Sequence, residues 1–261
     1  VAEDIPLNQL LMKTILDDFG FEREIAANGK IAIEKLEAGQ YDIVLMDLQM
    51  PEMNGFEATE HIRNILKSDI PIIALTADVT TVDLAKCKTV GMNDYIAKPV
   101  DERLLYSKIV NLVKKNQSTE VPTEDHNSDD LRKSCIDLEY LSKRTKSNPL
   151  LMMEMISLYL EQTPPLLYAM KQSMKDKNWV GLYAAVHKMI PSFAIMGISD
   201  DFENMAKEVQ EYAGTQQQTD HIPALIVQIE SICLQACVEL KKEYLIMKNE
   251  NETNRAKLNQ L

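Results

Sequence analysis

The sequence has little of what several large classes of protein require. Its 4 cysteines include no C-x-x-C pair, so we predict neither a zinc site nor a disulfide framework and expect a reducing compartment. With 8 glycines and 10 prolines, it lacks the many short turns of an all-β protein. No apolar run approaches the roughly 18 residues of a membrane span, and no signal peptide is recognisable. We therefore expect a soluble chain.

Positive charge is also scarce. The 28 lysines and arginines face 40 acidic residues, which gives a net charge of -12. No basic stripe is present, so we expect no nucleic-acid partner. The sign is equally wrong for an anionic membrane surface, and we expect no direct membrane contact in this piece of chain.

The length of 261 residues suits two domains, and 45% hydrophobic residues suffice for a packed core. Residues 116–130 carry 5 acidic side chains, no basic one and no apolar periodicity, which indicates an acidic flexible linker. We therefore predict one domain over 1–115, the linker over 116–130, a second domain over 131–250 and a polar tail over 251–261.

The first predicted domain alternates short apolar runs with amphipathic stretches. The runs in the middle of the domain are nearly continuous, which is typical of strands covered on both faces. Helices between such strands favour a doubly wound α/β fold with a five-stranded parallel sheet. The predicted strands cover 1–3, 22–26, 42–47, 71–76 and 95–97.

Polar side chains follow the strands of this predicted sheet. They are Glu3 and Asp4, Asp47, Thr76 and, after the last strand, Lys98. In a doubly wound fold these carboxyl ends lie along one edge, where ligands bind. Carboxylates without His or Cys suit Mg²⁺, while Lys and Thr suit an anion with several oxygens, such as a phosphoryl group.

The nine residues 47–55, DLQMPEMNG, match the motif D-x-x-M-P-x-x-x-G of response-regulator receiver domains. The acidic pair, Thr76 and the Lys98-Pro99 pair stand at the matching places, and the first half of the chain resembles this family throughout. The resemblance implies a flavodoxin-like fold with strand order 2-1-3-4-5. A haloacid-dehalogenase type of site would need an Asp where Gln49 stands, so that alternative fails.

The resemblance also implies roles for individual residues. Asp47 is the expected phosphoacceptor, and Lys98 and Thr76 are expected to bind the phosphoryl oxygens. Asp4, Asp47 and the Gln49 backbone carbonyl are expected to hold Mg²⁺, with Glu3 acting chiefly through metal-bound water. The expected switch positions are Thr76 and Tyr95.

The second half shows only helical patterns, over 137–145, 149–162, 164–176, 178–196, 200–213 and 221–249. It resembles the histidine-phosphotransfer (HPt) domain, an all-α helical bundle. The resemblance rests on EQTP at 161–164, Asn178-Trp179 and the segment that begins at His187. Where the family has Lys and Gly, this chain has Ile190 and Pro191. Helix geometry puts His187 about 100° off the core stripe, so we expect it to face solvent or the bundle edge.

Together the two resemblances imply a phosphorelay module from the C-terminal part of a hybrid sensor histidine kinase. The expected partners are the phosphohistidine domain of an upstream histidine kinase and a downstream response-regulator receiver. Receiver and HPt domains transfer phosphoryl groups, and no ATP-binding signature of a kinase is found in this chain. We expect a cytoplasmic location, within a parent that could be membrane-anchored. Since family members have a longer first strand, we expect the chain, which starts at Val1, to be a fragment.

A binding module is the competing hypothesis. Here the receiver switches on phosphorylation, and the helical half serves only for docking or dimerisation. Ile190 and Pro191 favour this alternative, whereas His187 and Trp179 favour the relay.

Overall fold

The computed structural model describes residues 1–76, 81–113, 135–216 and 221–258. The chain divides into two compact units, Val1–Asp129 and Asp130–Leu261. The predicted linker over 116–130 lies outside the described residues, so its character stays a prediction. The two units are described separately below.

The described part of the first unit alternates helices and strands after an initial pair of helices. In chain order its elements are α1 (Pro6–Asp18), α2 (Gly29–Ala38), β1 (Val44–Asp47), α3 (Gly55–Asn64), β2 (Ile72–Thr76), α4 (Thr81–Val90), β3 (Asp94–Ala97) and α5 (Glu102–Val113).

The three strands form a parallel sheet in the order β1-β2-β3. Every residue of β1 and β2 is buried, as their continuous apolar sequences predict for strands between two helix layers. Asp47 pairs with Leu75, and Thr76 pairs with Ala97, so the last residues of β1 and β2 lie at the same edge.

The segments predicted as the first two strands are shorter than expected. Each takes part in an isolated parallel bridge: Ala2 pairs with Ala26 on one side and with Met46 on the other. Four backbone hydrogen bonds of 2.8–3.0 Å support these bridges. The neighbours of Ala2 are those of the order 2-1-3-4-5, but the structure describes three regular strands, and the five-stranded sheet stays a prediction.

Local sequence fixes where the helices beside the site begin. The Asn54 side chain accepts a hydrogen bond from the Glu57 amide, and the Glu57 side chain accepts one from the Asn54 amide. This capping box satisfies two amide groups that the helix itself leaves unpaired. It starts α3 close after β1, which holds the residues that follow Asp47.

The described part of the second unit is helical throughout, as predicted. Its elements are α6 (Leu138–Arg144), α7 (Pro149–Lys175), α8 (Trp179–Met196), α9 (Asp200–Thr215) and α10 (Ile222–Leu258). The long helices contact one another in a closed ring, α7 with α8, α8 with α9, α9 with α10 and α10 with α7. They form a four-helix bundle, with α6 packed against α8.

Two predicted boundaries in this unit were wrong. The break at Pro164 and Pro165 is absent, since both prolines lie inside α7. Buried Tyr159 and Leu167 pack into the core on either side of the prolines, and this packing outweighs the lost backbone hydrogen bonds. The last helix was predicted to end at 249 but continues to Leu258, while the polar tail over 251–261 stays a prediction.

One described helix is long and apolar enough to cross a membrane by length and composition alone. It covers Ile222–Thr253, and its best window has a mean hydropathy of 1.5, with 33% of that window buried. A search for uninterrupted apolar runs misses it because Glu230 and Glu239 fall within the stretch. Its buried residues, such as Ile229 and Leu240, belong to the bundle core.

Candidate functional site

The predicted site residues of the first unit come together at one edge of the sheet. Asp47 ends β1, Thr76 ends β2, and Lys98 follows β3 directly. Glu3 follows Ala2, whose bridge to Met46 places it beside β1. The convergence follows from parallel strands, whose carboxyl ends share one edge.

A lysine joins two carboxylates at the centre of this edge. Lys98 Nζ lies 2.6 Å from Glu3 Oε2 and 2.6 Å from Asp47 Oδ2. The three side chains are 8%, 0% and 3% exposed, respectively. Desolvation makes a buried charge costly unless it is paired, so each group here depends on the others.

The charges of this cluster shift the protonation of its members. The pKa of Glu3 is raised from 4.5 to about 7, because burial, together with the neighbouring Asp47 carboxylate, outweighs the opposing Lys98 ammonium. Burial alone would lower the pKa of Lys98, but the two carboxylates outweigh burial and raise it. Lys98 therefore stays charged, and Glu3 is the member that can take up a proton near neutral pH.

Glu3, Asp4 and Asp47 could hold a divalent cation. Each offers a carboxylate oxygen, and these oxygens lie within 4.8 Å of one another. Three hard oxygen donors without His or Cys fit Mg²⁺. The Gln49 amide donates to Asp47 Oδ1 over 3.1 Å. That places Gln49 beside the cluster, but its carbonyl as a ligand stays a prediction.

Two polar residues at the start of α1 fix Glu3, although no role was predicted for either from the sequence. Asn8 Nδ2 donates to Glu3 Oε1 over 3.0 Å, and Gln9 Nε2 donates to the Glu3 carbonyl over 2.7 Å. The Ile5 amide also donates to Glu3 Oε1, over 3.2 Å. The sequence signal that could have indicated this role is the polar pair Asn8-Gln9, which lies in the first turn of the helix that follows the acidic pair Glu3-Asp4.

Gly55 explains the spacing of the motif around Asp47. A Cβ at Gly55 would lie only 2.2 Å from the Asp47 carbonyl oxygen. The Gly55 amide donates to the Leu48 carbonyl over 3.1 Å, so the start of α3 folds back onto the end of β1. Glycine is required there because the two backbones approach so closely.

The proposed switch residues lie on neighbouring strands. Thr76 is 6% exposed at the end of β2, and Tyr95 is half-buried on β3, where it pairs with Ala74. The Lys108 ammonium lies 5.1 Å from the centre of the Tyr95 ring. The structure gives the positions of both residues, while their coupled movement stays a prediction.

Two placements were predicted for His187, solvent and the bundle edge, and the structure contradicts the first of them. His187 lies on α8 and is 7% exposed, and Gln210 Nε2 of α9 lies 3.5 Å from its Nδ1. The Tyr183 ring stacks on the imidazole with ring centres 6.1 Å apart. Because α8 contacts α6, α7 and α9, faces beside its predicted core stripe are also covered.

The departures from the HPt pattern are buried as well. Ile190 is 4% exposed, and Pro191 is buried one position further along α8. A lysine at position 190 would place its charge inside the bundle. The apolar residue found there suits these surroundings better than the family's lysine would.

Comparison with known proteins identifies the first unit. Residues 1–110 match the family model "Response regulator receiver domain". Hybrid signal transduction histidine kinase I of Dictyostelium discoideum is 39% identical over 140 residues, which is 49% of this chain and 8% of that protein. The solved receiver domain of sensor histidine kinase PA1611 from Pseudomonas aeruginosa is 35% identical, with a TM-score of 0.41, and the match covers 43% of this chain and 93% of that one.

A further relative extends over more of the chain. The signal transduction histidine-protein kinase BarA of Escherichia coli K12 is 25% identical over 222 residues, which is 83% of this chain and 24% of BarA. This match cannot be confined to the first unit, which ends at Asp129. The chain spans less than a quarter of the length of both kinases.

The N-terminal part of the chain is therefore a response-regulator receiver domain, homologous to those of hybrid histidine kinases. Such domains belong to two-component phosphorelay systems. The matched family model ends at residue 110 and does not extend into the helical unit.

Proposed function

We propose that the first unit accepts a phosphoryl group on Asp47 from a phosphohistidine donor. The observation that carries this proposal is the cluster in which the Lys98 ammonium lies 2.6 Å from both Glu3 and Asp47. An Asp47 oxygen attacks phosphorus, the O–P bond forms as the P–N bond breaks, and the donor imidazole, already protonated on its other ring nitrogen, leaves as neutral imidazole. Atoms and charge balance without a further reactant.

The surrounding residues stabilise the group that arrives. Lys98 and the Thr76 hydroxyl would bind phosphoryl oxygens, and Lys98 would move from Asp47 to the new negative charge while keeping its ion pair with Glu3. Glu3, Asp4 and Asp47 would hold Mg²⁺, with the Gln49 carbonyl as a further proposed ligand. Bound there, the ion would neutralise charge on the phosphoryl oxygens.

The test of this step is chemical labelling of the full chain. A phosphohistidine donor should give a hydroxylamine-sensitive acyl phosphate on the wild type and none on Asp47→Asn. Asp42→Asn is the matched control, because Asp42 is exposed and lies just before the same strand. Equal labelling of wild type and Asp47→Asn would refute the assignment.

Phosphorylation is proposed to act through Thr76 and Tyr95. A hydrogen bond from Thr76 to the phosphoryl group would draw it inward and let Tyr95 follow, which changes the surface near α4. Hydrogen exchange of β2, α4 and β3 should differ with and without beryllofluoride. Identical exchange in both states would refute the switch.

For the helical unit we propose the role of a phosphohistidine carrier, with His187 passing the group to a separate receiver. Two observations support it. The similarity to the kinase BarA continues into this unit, and the imidazole has two polar or aromatic neighbours, Gln210 at 3.5 Å and the stacked Tyr183 ring. Since His187 is only 7% exposed, the role requires the imidazole to become accessible to the partner receiver.

The low exposure of His187 favours the second candidate, in which the bundle serves only for docking or dimerisation. Labelling the full chain separates the two. A carrier should acquire a base-stable, acid-labile phosphate that is lost in His187→Gln. His221→Gln is the control, because His221 is exposed and pairs with Glu208. If phosphate appeared on Asp47 but never on His187, the carrier role would be refuted and the docking role would remain.

A further inference from the structure

Helix α10 carries an apolar stripe that the described bundle does not cover. Val227, Leu234, Val238 and Leu245 are 63%, 49%, 71% and 51% exposed, respectively. These four residues, called the α10 stripe below, are separated by seven, four and seven positions. That spacing is the heptad pattern of coiled-coil seams.

The stripe lies on the opposite side of α10 from the bundle. At 100° per residue the four side chains fall within an arc of about 40°, whereas the buried residues of α10 are centred about 150° away. Those buried residues include Ile229, Cys233, Ala236 and Leu240. Helix α10 therefore has two apolar faces, and the bundle uses one of them.

The C-terminal part of α10 has no fully buried residue among those that the structure describes. Leu240 is buried, but no residue from 241 to 253 is, although the helix continues to Leu258. Helices of about 15 residues are marginal in water without tertiary contacts. A helix that continues so far beyond its last buried residue calls for a packing partner.

We infer that the α10 stripe pairs two copies of this chain as an antiparallel coiled coil. With the twofold axis between Leu234 and Val238, Leu234 faces Val238 of the second copy. Val227 faces Leu245 of the second copy in the same way. The C-terminal part of each α10 then covers the first turns of the other.

Charge decides the direction of pairing. In a parallel, in-register pair, Lys241 would face Lys241 of the second copy within the seam, and like charges there repel. In the antiparallel pair Lys241 faces Ser231 of the second copy. Both residues are exposed in the described chain, so the pairing needs no rearrangement of the bundle.

A membrane would also cover apolar surface, but the stripe suits it less well. Lys241 interrupts the stripe, and Glu230 lies on α10 about 60° from its centre. Ionised side chains are costly in hydrocarbon, whereas a coiled coil tolerates charges at the flanks of its seam. A second copy supplies a surface that matches every stripe residue.

Sedimentation velocity of the full chain over a range of concentrations is the test. The wild type should sediment as a dimer, and Val238→Glu should weaken the dimer by about tenfold or more, because it places two carboxylates in the seam. Val180→Glu is the matched control, since Val180 is 82% exposed on α8 and off the stripe. It should leave the dimer unchanged, and circular dichroism should show that both variants keep their helices.

Two further measurements test the antiparallel orientation of the two α10 helices and the alternative that a membrane covers the α10 stripe. In Ser231→Cys/Lys241→Cys, an antiparallel pair forms disulfides between positions 231 and 241 of different copies, and a parallel pair joins like positions. Flotation with neutral phosphatidylcholine vesicles should leave the wild type unbound. A wild type that is monomeric at all concentrations, a parallel crosslink, or vesicle binding lost in Val238→Glu would each overturn the inference.

Discussion

The surroundings of Asp47 and His187 differ in almost every physical respect. Asp47 ends a strand among a lysine and two other carboxylates, where charge can be stabilised as it moves. His187 lies inside a bundle between Tyr183 and Gln210 on a helix that is mostly apolar. Under the proposed roles, Asp47 would accept a phosphoryl group in a charge environment that is already present, whereas His187 would need to gain access and charge from a partner.

The largest expected effect on stability concerns the charged cluster around Asp47. Lys98→Met should lower the free energy of unfolding by about 2–4 kcal/mol, because it leaves Glu3 and Asp47 buried without their cation. Urea unfolding measures it. Lys143→Met is the control, since Lys143 forms an exposed pair with Glu139 and should cost at most about 0.5 kcal/mol. Equal losses would show that the Lys98 cluster is not coupled as described.

The apolar surroundings of His187 are tested by placing at position 190 the lysine that the HPt family has there. Ile190→Lys should destabilise the chain by about 1–3 kcal/mol, because position 190 is 4% exposed and a charge there is desolvated. Ala184→Lys, on an exposed position of the same helix, should change stability by less than about 0.5 kcal/mol. If Ile190→Lys left the stability unchanged, this face of α8 would be open to solvent.

The close approach behind Asp47 predicts a smaller loss of stability than that of Lys98→Met. Gly55→Ala should cost about 1–3 kcal/mol, since its Cβ would lie 2.2 Å from the Asp47 carbonyl oxygen and α3 must shift. Gly214→Ala is the control. Its Cβ would meet only Tyr183 at 3.8 Å, inside α9, so a gain of up to about 1 kcal/mol is expected. Thermal unfolding of both variants measures the contrast.

Protonation of Glu3 predicts a pH dependence in the absence of divalent cations. Its pKa is raised from 4.5 to about 7, so between these values the folded chain holds a proton that the unfolded chain releases. This contribution to stability is full below pH 4.5 and is lost as the pH rises through 7, by about 1–3 kcal/mol. The difference between wild type and Glu3→Gln in urea unfolding isolates it. The free energy of unfolding of the wild type minus that of Glu3→Gln should fall as the pH rises. A value that rises with pH would contradict the raised pKa of Glu3.

The contrast between the surroundings of Asp47 and His187 also explains which parts of the two sites could be predicted from the sequence. Glu3, Asp47, Thr76 and Lys98 were found because parallel strands bring their carboxyl ends together, which is a rule of topology that needs no packing detail. The burial of His187 was missed because one helix cannot show how many neighbours surround it. Likewise Pro164 was predicted to end a helix, since local rules do not include the buried side chains that keep α7 continuous.

The most direct test of the account is a beryllofluoride titration of the full chain with Mg²⁺, followed by amide NMR. Beryllofluoride stands in for the phosphoryl group on a carboxylate. The account predicts saturable shifts at Glu3, Asp47, Thr76 and Lys98 in the wild type and in Asp42→Asn, and none in Asp47→Asn. Shifts of equal size in Asp47→Asn, or a wild type that does not respond, would contradict the claim that Asp47 is the phosphoacceptor.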